Sequence, residues 1–582
     1  MNFHTIHHLL ERAAEDRSVI RFMDRKAQYR EYRYPSLLKD TKKYASFYKE
    51  SGVVAGDIIS LMLPTCEEFL SAFFAAQMIG AVPVSLYPPA SLTDMDEWTQ
   101  RTAGMINSIE SKVLITDINI ASLCGGIKQI TNTEIFTVET INKSKGNYKF
   151  DIEIYRSTDI CFLQFSSGTT GPPKAVIITQ ENAVTNTNII IDETPIDAKD
   201  LSVASWLPLY HDMGLVGVLM VSLFVGNDLT LIRPDDFIRK PFLWLKAMSD
   251  FKTTCTTAPN FAYGLIHKRV SAERIATYDL SSLKVAMCGA EMVYRETMEK
   301  FINHVKAAKF DPASLLPVYG MAEATLAVAL VDKKRGMSFI KINKDQLAKG
   351  EIKLDPKGDE ICCVGRPMKT FDLKIVDETG NQVNQGKIGR VLIQGPSITS
   401  GYYKDPVKTQ SLFVDNFLDT GDEGFMLDGE LYLCGRLKDT MVIRGRNYYP
   451  TLFEEKIYHI EGLRKGRVIV SSHYNKKNDT EEIVVLAEVS QTELIAKNGD
   501  SIKAQIKKII AAESLPIFAI ELYSPGLLLR SSSGKLKRRM TLKKWEEGKL
   551  LTREAKSLLR TSLFLFKMNF RNIKMKIRAK VS

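Results

Sequence analysis

The run Ser166-Ser167-Gly168-Thr169-Thr170-Gly171-Pro172-Pro173-Lys174 has the residue types that hold phosphate. Its two glycines permit unusual backbone angles, its hydroxyls and free amides donate to phosphate oxygens, and Lys174 adds a positive charge. It is not a Walker A loop: the Gly-x-x-x-x-Gly-Lys spacing is absent and a strand, not a helix, follows. Taken alone, it is equally an ordinary Ser/Thr/Gly surface loop. A second run, Tyr319-Gly320-Met321-Ala322-Glu323-Ala324-Thr325, joins an aromatic and a glycine, on which a flat base can stack, to Glu323, an oxygen ligand of the kind Mg²⁺ prefers. A helix start with a capping glutamate explains it as well. In Asp419-Thr420-Gly421-Asp422, with Arg436 fourteen residues after Asp422, a carboxylate in a tight turn suits a ribose diol. A plain β-turn is the simpler reading. Lys535, ending Ser531-Ser532-Ser533-Gly534-Lys535, can carry one charge on a flexible loop to a distant phosphate or carboxylate, or be an exposed linker lysine.

These runs need strands and helices to bring them together. The apolar stretches Ile160 to Phe165 and Ala175 to Thr179 are expected as strands on either side of the first loop. Strands at Ile58 to Leu63, Ala81 to Leu86, Val113 to Thr116 and Leu283 to Met287 alternate with helices such as Glu67 to Ile79 and Tyr294 to Val305. That alternation predicts an α/β architecture with mostly parallel sheets. From about Phe371 the rhythm changes to close strands and Gly turns (371–376, 389–394, 430–434), which predicts a small β subdomain. A new unit is expected after about residue 435, with strands at 467–471, 482–489 and 519–523 and a helix at 501–512. The expected domains are therefore 1–435, 436–550 and a tail, 551–582. The tail has Leu551, Ala555, Leu558 and Leu559 at helical spacing.

Composition excludes several classes. At 582 residues, 45% hydrophobic and 25% charged, the chain is neither mostly disordered, collagen-like nor a small disulfide scaffold. The uncharged run Phe69 to Thr93 is broken by Gln77, Gly80, Pro83, Pro88 and Pro89, so it does not read as a membrane span. Met213 to Asn227 is too short to span and reads as core. The N-terminus shows no apolar signal region, and the expected location is the cytosol. The eight cysteines include no Cys-x-x-Cys and read as small core hydrophobes. His4, His7 and His8 cluster without a metal motif and read as solvated.

The net charge of +11 is concentrated at one end. Lys535 to Ser582 holds 16 Lys/Arg against 3 Glu, or +13, so the preceding 534 residues sum to −2. A uniformly basic nucleic-acid-binding body is thus disfavoured. The basic end suits an acidic protein, phosphates or an anionic membrane surface, or is simply a solvated tail.

In their order along the chain these motifs resemble the adenylate-forming superfamily of acyl-CoA synthetases, nonribosomal peptide adenylation domains and luciferases. The resemblance covers roughly residues 15 to 550. It includes the turn Gly289-Ala290-Glu291, the hinge Gly435-Arg436-Leu437-Lys438 and the loop Gly534-Lys535. Within the superfamily, three segments resemble fatty acyl-AMP ligases: Ser205-Trp206-Leu207-Pro208-Leu209-Tyr210-His211-Asp212-Met213-Gly214-Leu215, Thr257-Ala258-Pro259-Asn260-Phe261-Ala262-Tyr263 and Gly445-Arg446-Asn447-Tyr448-Tyr449-Pro450. The Lys- and Gly-rich stretch Asp332 to Asp359 falls where these ligases carry an insertion linked to poor use of coenzyme A; the plainer reading is a long surface loop. Two positions depart from the family pattern. Leu529 stands where a proline is usual, and Leu452 where an aspartate is usual.

The resemblance implies a large N-terminal domain of two α/β subdomains plus a small β subdomain, and a smaller α+β C-terminal domain. It implies that ATP and Mg²⁺ activate a fatty acid to an acyl-adenylate, followed by transfer to an acyl carrier protein or a polyketide synthase carrier domain. Lys535 would bridge the carboxylate and the α-phosphate. Ser166, Ser167, Gly168, Thr169, Thr170, Gly171 and Lys174 would hold phosphates, and Glu323 the metal. Tyr319, Gly320, Met321 and Ala322, with Gly289, Ala290 and Glu291, would flank adenine; Asp422 and Arg436 would bind ribose. His211 would lie beside the carboxylate, unless it is a satisfied structural pair with Asp212. Lys438 would be the hinge. Gly214, Phe261 and Tyr263 are candidates for the acyl pocket, or plain core. Competing readings are a fatty acyl-CoA ligase, a non-catalytic nucleotide sensor and a luciferase-like oxygenase.

Overall fold

Ile58–Met62 and Val113–Thr116 are buried along their whole length, as strands covered on both faces must be. In the computed structural model they lie inside a six-stranded sheet. The model describes residues 5–15, 18–89, 95–144, 156–166, 173–478, 480–530 and 535–550, without the side chains of residues 6 and 7. The sheet order is Glu134–Thr137, Val113–Thr116, Ile58–Met62, Val82–Ser85, Ile160–Phe165, Ala175–Thr179. Its first five strands are parallel. The last two form an antiparallel pair around the Ser/Thr/Gly loop.

A nine-stranded sheet is the second layer system. Its centre holds six parallel strands in the order Leu315–Gly320, Val285–Cys288, Cys255–Ala258, Ser202–Ser205, Asp228–Ile232, Val19–Met23. Antiparallel strands close both edges: Ala327–Leu330 and Arg366–Pro367 on one side, Tyr29–Arg33 on the other. The Met213-to-Asn227 core segment is helical, and Leu215–Met220 winds as a π-helix. A third, antiparallel sheet is built from Asp372–Val376, Gly389–Gln394, Phe413–Val414, Phe417–Leu427 and Glu430–Arg436.

The stretch Asp332 to Asp359 is more than a surface loop. Phe339–Ile342 pairs antiparallel with Asp359–Cys362, and a short helix, Lys344–Leu347, is capped by Asn343. Backbone bonds fasten it to the loop before Gly389–Gln394: Ile352 N–H to Gly386 O and Ile388 N–H to Gly350 O, both 2.8 Å. Ion pairs from Arg295 to Glu360 and from Arg335 to the buried Glu430 add to this.

The chain divides into two compact units between Leu437 and Lys438. The division falls two residues past the boundary read at about 435, because Gly435 and Arg436 complete the strand Glu430–Arg436. The second unit has a three-stranded sheet, Leu463–Asn475, Thr480–Val489 and Ile517–Tyr523. Alternate residues serve opposite faces. Val468, Val470, Val485 and Ala487 pack with Ile457, Ile502, Ile506 and Ile510, whereas Ile469, Val484 and Leu486 pack with Leu527, Leu528 and Trp545. The helix expected at 501–512 is longer, Leu494–Ala511. Asn498-Gly499-Asp500 reads locally as a breaker, yet Leu494 and Ile495 pack on the same core and carry the helix through it.

The eight cysteines form no disulfide, and all but Cys255 are buried. Among the described residues no helix is long and apolar enough to cross a membrane. The tail from 551 and residues 1–4, including His4, lie outside the described residues.

Candidate active site

In a parallel sheet, chemistry gathers where the strands end at their carboxyl side. Four adjacent strands of the nine-stranded sheet deliver four of the predicted segments to that edge. Ser202–Ser205 leads into 206–211, Cys255–Ala258 into 259–261, Val285–Cys288 into 289–291, and Leu315–Gly320 into 319–323. Gln164 Nε2 donates to Tyr210 O at 2.9 Å, which ties the edge to the strand that feeds the Ser/Thr/Gly loop. Ser166 N–H, bonded to Lys174 O at 2.9 Å, closes the base of that loop. Ser167, Gly168, Thr169, Thr170 and Gly171 lie outside the described residues.

Asp422 and Arg436, fourteen residues apart in sequence, face each other across an antiparallel pair of strands. Arg436 Nε lies 2.8 Å from Asp422 Oδ1, and Tyr319 Oη donates to Asp422 Oδ2 at 2.6 Å. Burial and the Asp422 carboxylate push the Tyr319 phenol well above its ordinary value, so it stays a donor. The carboxylate is buried, while the guanidinium is half exposed. This joins the end of the large sheet to the β subdomain through one carboxylate that still has acceptor capacity for a diol. Nearby, Ala290 has a left-handed backbone (φ 66°), uncommon for a residue with a Cβ, and Glu291 Oε1 accepts from Phe261 N–H at 2.6 Å.

Glu323 sits on a short 3₁₀ turn, Ala322–Ala324, entered by a tight bend. Gly320 is required in that bend, because a Cβ there would lie 1.8 Å from Leu326 O. The fully buried Asn186 holds the far side. Its Nδ2 is within 3.3 Å of Ala324 O, Ala327 O and Ser397 Oγ, and its Oδ1 accepts from Ala327 N–H. Thr399 N–H donates to Glu323 O at 2.9 Å, and Tyr402 Oη donates to Glu323 Oε1 at 2.9 Å. Lys174 Nζ lies 4.4 Å from the centre of the same tyrosine ring. A lone carboxylate fits a Mg²⁺ that arrives with phosphates rather than one held by an all-protein cage. Among the described residues no group of three or more His, Cys, Asp or Glu side chains could hold a metal.

His211 begins a turn drawn tight by Gly214, where a Cβ would lie 2.3 Å from Pro208 O. Its ring packs at 5.3 Å against Tyr210. Trp206 stacks on Phe237 at 4.0 Å and meets the edge of Phe261; its Nε1 has no hydrogen-bond partner among the described residues. Tyr263 points elsewhere. It is buried between Trp244 and Phe301 and donates to Met287 O.

In the second unit, the loop carrying Lys535 is pinned at its base by Lys537 N–H to Leu529 O. Arg538 then reaches Glu454 at 2.8 Å and Asp439 at 2.5 Å, both nearly buried, and Arg539 donates to Lys438 O. Lys438 belongs to the turn Leu437–Asp439.

A family model described as AMP-binding enzyme matches residues 10–403, about two-thirds of the chain.

The chain belongs to the AMP-binding enzyme family.

Relatives share its length. A putative acyl-CoA synthetase of Caulobacter vibrioides is 29% identical over 501 residues, covering 84% of this chain and 85% of the relative. The medium-chain-fatty-acid–[acyl-carrier-protein] ligase TtuA of Teredinibacter turnerae is 28% identical over 538 residues, covering 82% and 83%. A structure from a study of fatty acyl-adenylate ligases of E. coli and L. pneumophila superposes with a TM-score of 0.88 at 28% identity, covering 94% of this chain and 98% of that one. The adenylate-forming fold is therefore shared over both units, and enzymes of this family use ATP.

For this AMP-binding enzyme, the first unit brings together Glu323, Tyr319, Asp422, Arg436 and Lys174, and sets Gly289, Ala290 and Glu291 on the neighbouring strand end. Lys535 and Lys438 belong to the second unit. The sequence reading missed Tyr402 and Asn186. The signal for Tyr402 was slight, a glycine before two tyrosines at 401–403; Asn186 is one of several amides in its helix, and its role comes only from tertiary contact.

Proposed function

We propose that this chain activates a fatty acid with ATP and passes the acyl group to the phosphopantetheine thiol of an acyl carrier protein. The observation that carries the reading is the Tyr319–Asp422–Arg436 cluster beside Glu323 at the carboxyl edge of the parallel strands. In the first step a carboxylate oxygen attacks the α-phosphorus; the bond to the β-phosphate oxygen breaks, and pyrophosphate leaves. Most of the catalysis is alignment of two anions and neutralisation of charge. Asp422 and Arg436 orient the ribose, Tyr319 and the 289–291 turn flank the base, and the 166–174 loop holds the outer phosphates. Lys535 bridges carboxylate and α-phosphate, with His211 beside the carboxylate. Glu323 would hold Mg²⁺, which would supply positive charge to offset the phosphates.

In the second step the thiol sulfur attacks the acyl carbonyl, AMP leaves, and the thiol proton goes to solvent. A swing of the second unit about Lys438 is proposed to precede this step. The apolar residues Val216, Leu219 and Met220, with Phe261, are proposed as acyl-pocket walls. TtuA, named as an acyl-carrier-protein ligase, supports the carrier as acceptor. Carrier proteins are typically acidic, so the +13 end is proposed to aid docking. Removing the residues after about 550 should then weaken carrier transfer more than adenylation; equal effects on both oppose this.

The Caulobacter relative named as an acyl-CoA synthetase favours a second reading, coenzyme A as acceptor. To separate the two, purified protein with ATP, Mg²⁺ and mixed fatty acids is divided between coenzyme A and phosphopantetheinylated carrier, with products read by mass spectrometry. Acyl-AMP that persists with coenzyme A and disappears onto the carrier supports the proposal. Rapid acyl-CoA formation supports the second reading, and no adenylate from any acid overturns both.

A further inference from the structure

The segment 397–403 lies between two parts of the site. On one side Thr325 Oγ1 donates to Ser397 O and Thr399 N–H to Glu323 O, at 2.8 and 2.9 Å. On the other it pairs with the strand leaving the Ser/Thr/Gly loop: Ile177 N–H to Gly401 O at 3.0 Å, Tyr403 N–H to Ala175 O at 2.8 Å, and a bridge between Val176 and Tyr402. Tyr402 is the residue whose side chain uses both sides. Its hydroxyl binds Glu323 Oε1, and its ring face meets the Lys174 ammonium at 4.4 Å. Its backbone is fixed independently, since Tyr402 N–H donates to Thr409 Oγ1 at 2.9 Å.

We infer that Tyr402 is a positioning residue that orients the Glu323 carboxylate toward a divalent cation and the Lys174 ammonium toward the nucleotide phosphates. This rests on the ATP and Mg²⁺ roles proposed above. The hydroxyl engages one carboxylate oxygen and so sets the plane in which Oε2 is presented. A phenol serves here because it donates a hydrogen bond without adding charge. The ring face restrains the ammonium through its negative quadrupole.

The test separates hydroxyl from ring in the full-length protein. Binding of Mn²⁺ with α,β-methylene-ATP is followed by electron paramagnetic resonance, and binding of the same analogue in EDTA by calorimetry. Tyr402→Phe should weaken Mn²⁺ about tenfold, the loss of one charge-assisted hydrogen bond, and leave the EDTA affinity unchanged. Tyr402→Leu should also lower the EDTA affinity, by about threefold. In adenylation assays Tyr402→Phe should raise the Mg²⁺ concentration for half-maximal rate more than it lowers the saturated rate. Phe is isosteric, so an unchanged unfolding midpoint is expected. Equal Mn²⁺ affinity in Tyr402→Phe and wild type overturns the inference, as does a fall in the saturated rate alone. Wild type that binds Mn²⁺ with the analogue but adenylates no fatty acid overturns the proposed function and leaves this inference standing.

Discussion

The two units hold their key side chains by different means. Around Glu323 the scaffold is neutral: the Asn186 amide, the Thr399 N–H and the Tyr402 phenol each meet a backbone or carboxylate acceptor. Around the Lys535 loop the anchor is charged: Arg538 lies between Glu454 and Asp439, with little exposure for any of the three. Neutral bonds to main chain fix a loop at modest cost each. A buried charge cluster fixes it more firmly, and fails badly when one member is lost. The difference is between a site pre-shaped by neutral bonds in one unit and a lysine loop set on a charged base in the other.

The largest expected effect is on the charged anchor. Arg538→Ala leaves the buried Glu454 and the half-buried Asp439 without the guanidinium they share and should cost about 3–5 kcal/mol within the second unit. Hydrogen exchange should rise across Leu463–Asn475 and stay unchanged across Leu315–Gly320; a loss spread evenly over both units breaks the comparison. Next is Lys535→Ala, expected to slow adenylation by roughly 10²–10³, the scale of one removed charge stabiliser, with stability unchanged. A small rate loss would mean the loop is anchored for some other purpose.

Asn186→Ala tests the neutral scaffold. Losing several hydrogen bonds to buried carbonyls should cost about 2–3 kcal/mol, read in the first unit by denaturant unfolding. A loss exceeding that of Arg538→Ala would reverse the ranking. The smallest effect is on the thiols. Burial raises Cys124 to about 11 and Cys255 to about 12, so at pH 8 very little thiolate is present at either. Iodoacetamide at pH 8 should label the native protein slowly, and labelling should accelerate as pH rises toward 11 at Cys124 before Cys255.

Much of this was legible in the sequence because the signals were local. Apolar runs between turn residues mark Ile160–Phe165, Val113–Thr116 and Gly389–Gln394, and the structure places strands there. Asp422 and Arg436 were singled out by motif, but the tight turn expected at 419–422 is instead part of the strand Phe417–Leu427, which sets Asp422 opposite Arg436. The long helix Leu494–Ala511 was read short, since local propensity at Gly499 argues against what the core of the second unit enforces. Asp332 to Asp359 gave no strand pattern, because its pairing is short and half exposed. Tyr402 and Asn186 act across separations of 79 and 138 residues, a relation that no window along the chain contains.

Gly320 brings no side chain to the proposed chemistry, yet the carbonyl of Leu326 occupies the space that any side chain there would need. A saturation screen scored on growth or product would therefore rank position 320 alongside Glu323 and Lys535, and tolerance data alone would miscount it as part of the chemistry. The discriminating trait is dose. Raising substrate or metal should partly restore variants at Glu323, while at 320 neither helps, because every replacement alters the path of the chain itself.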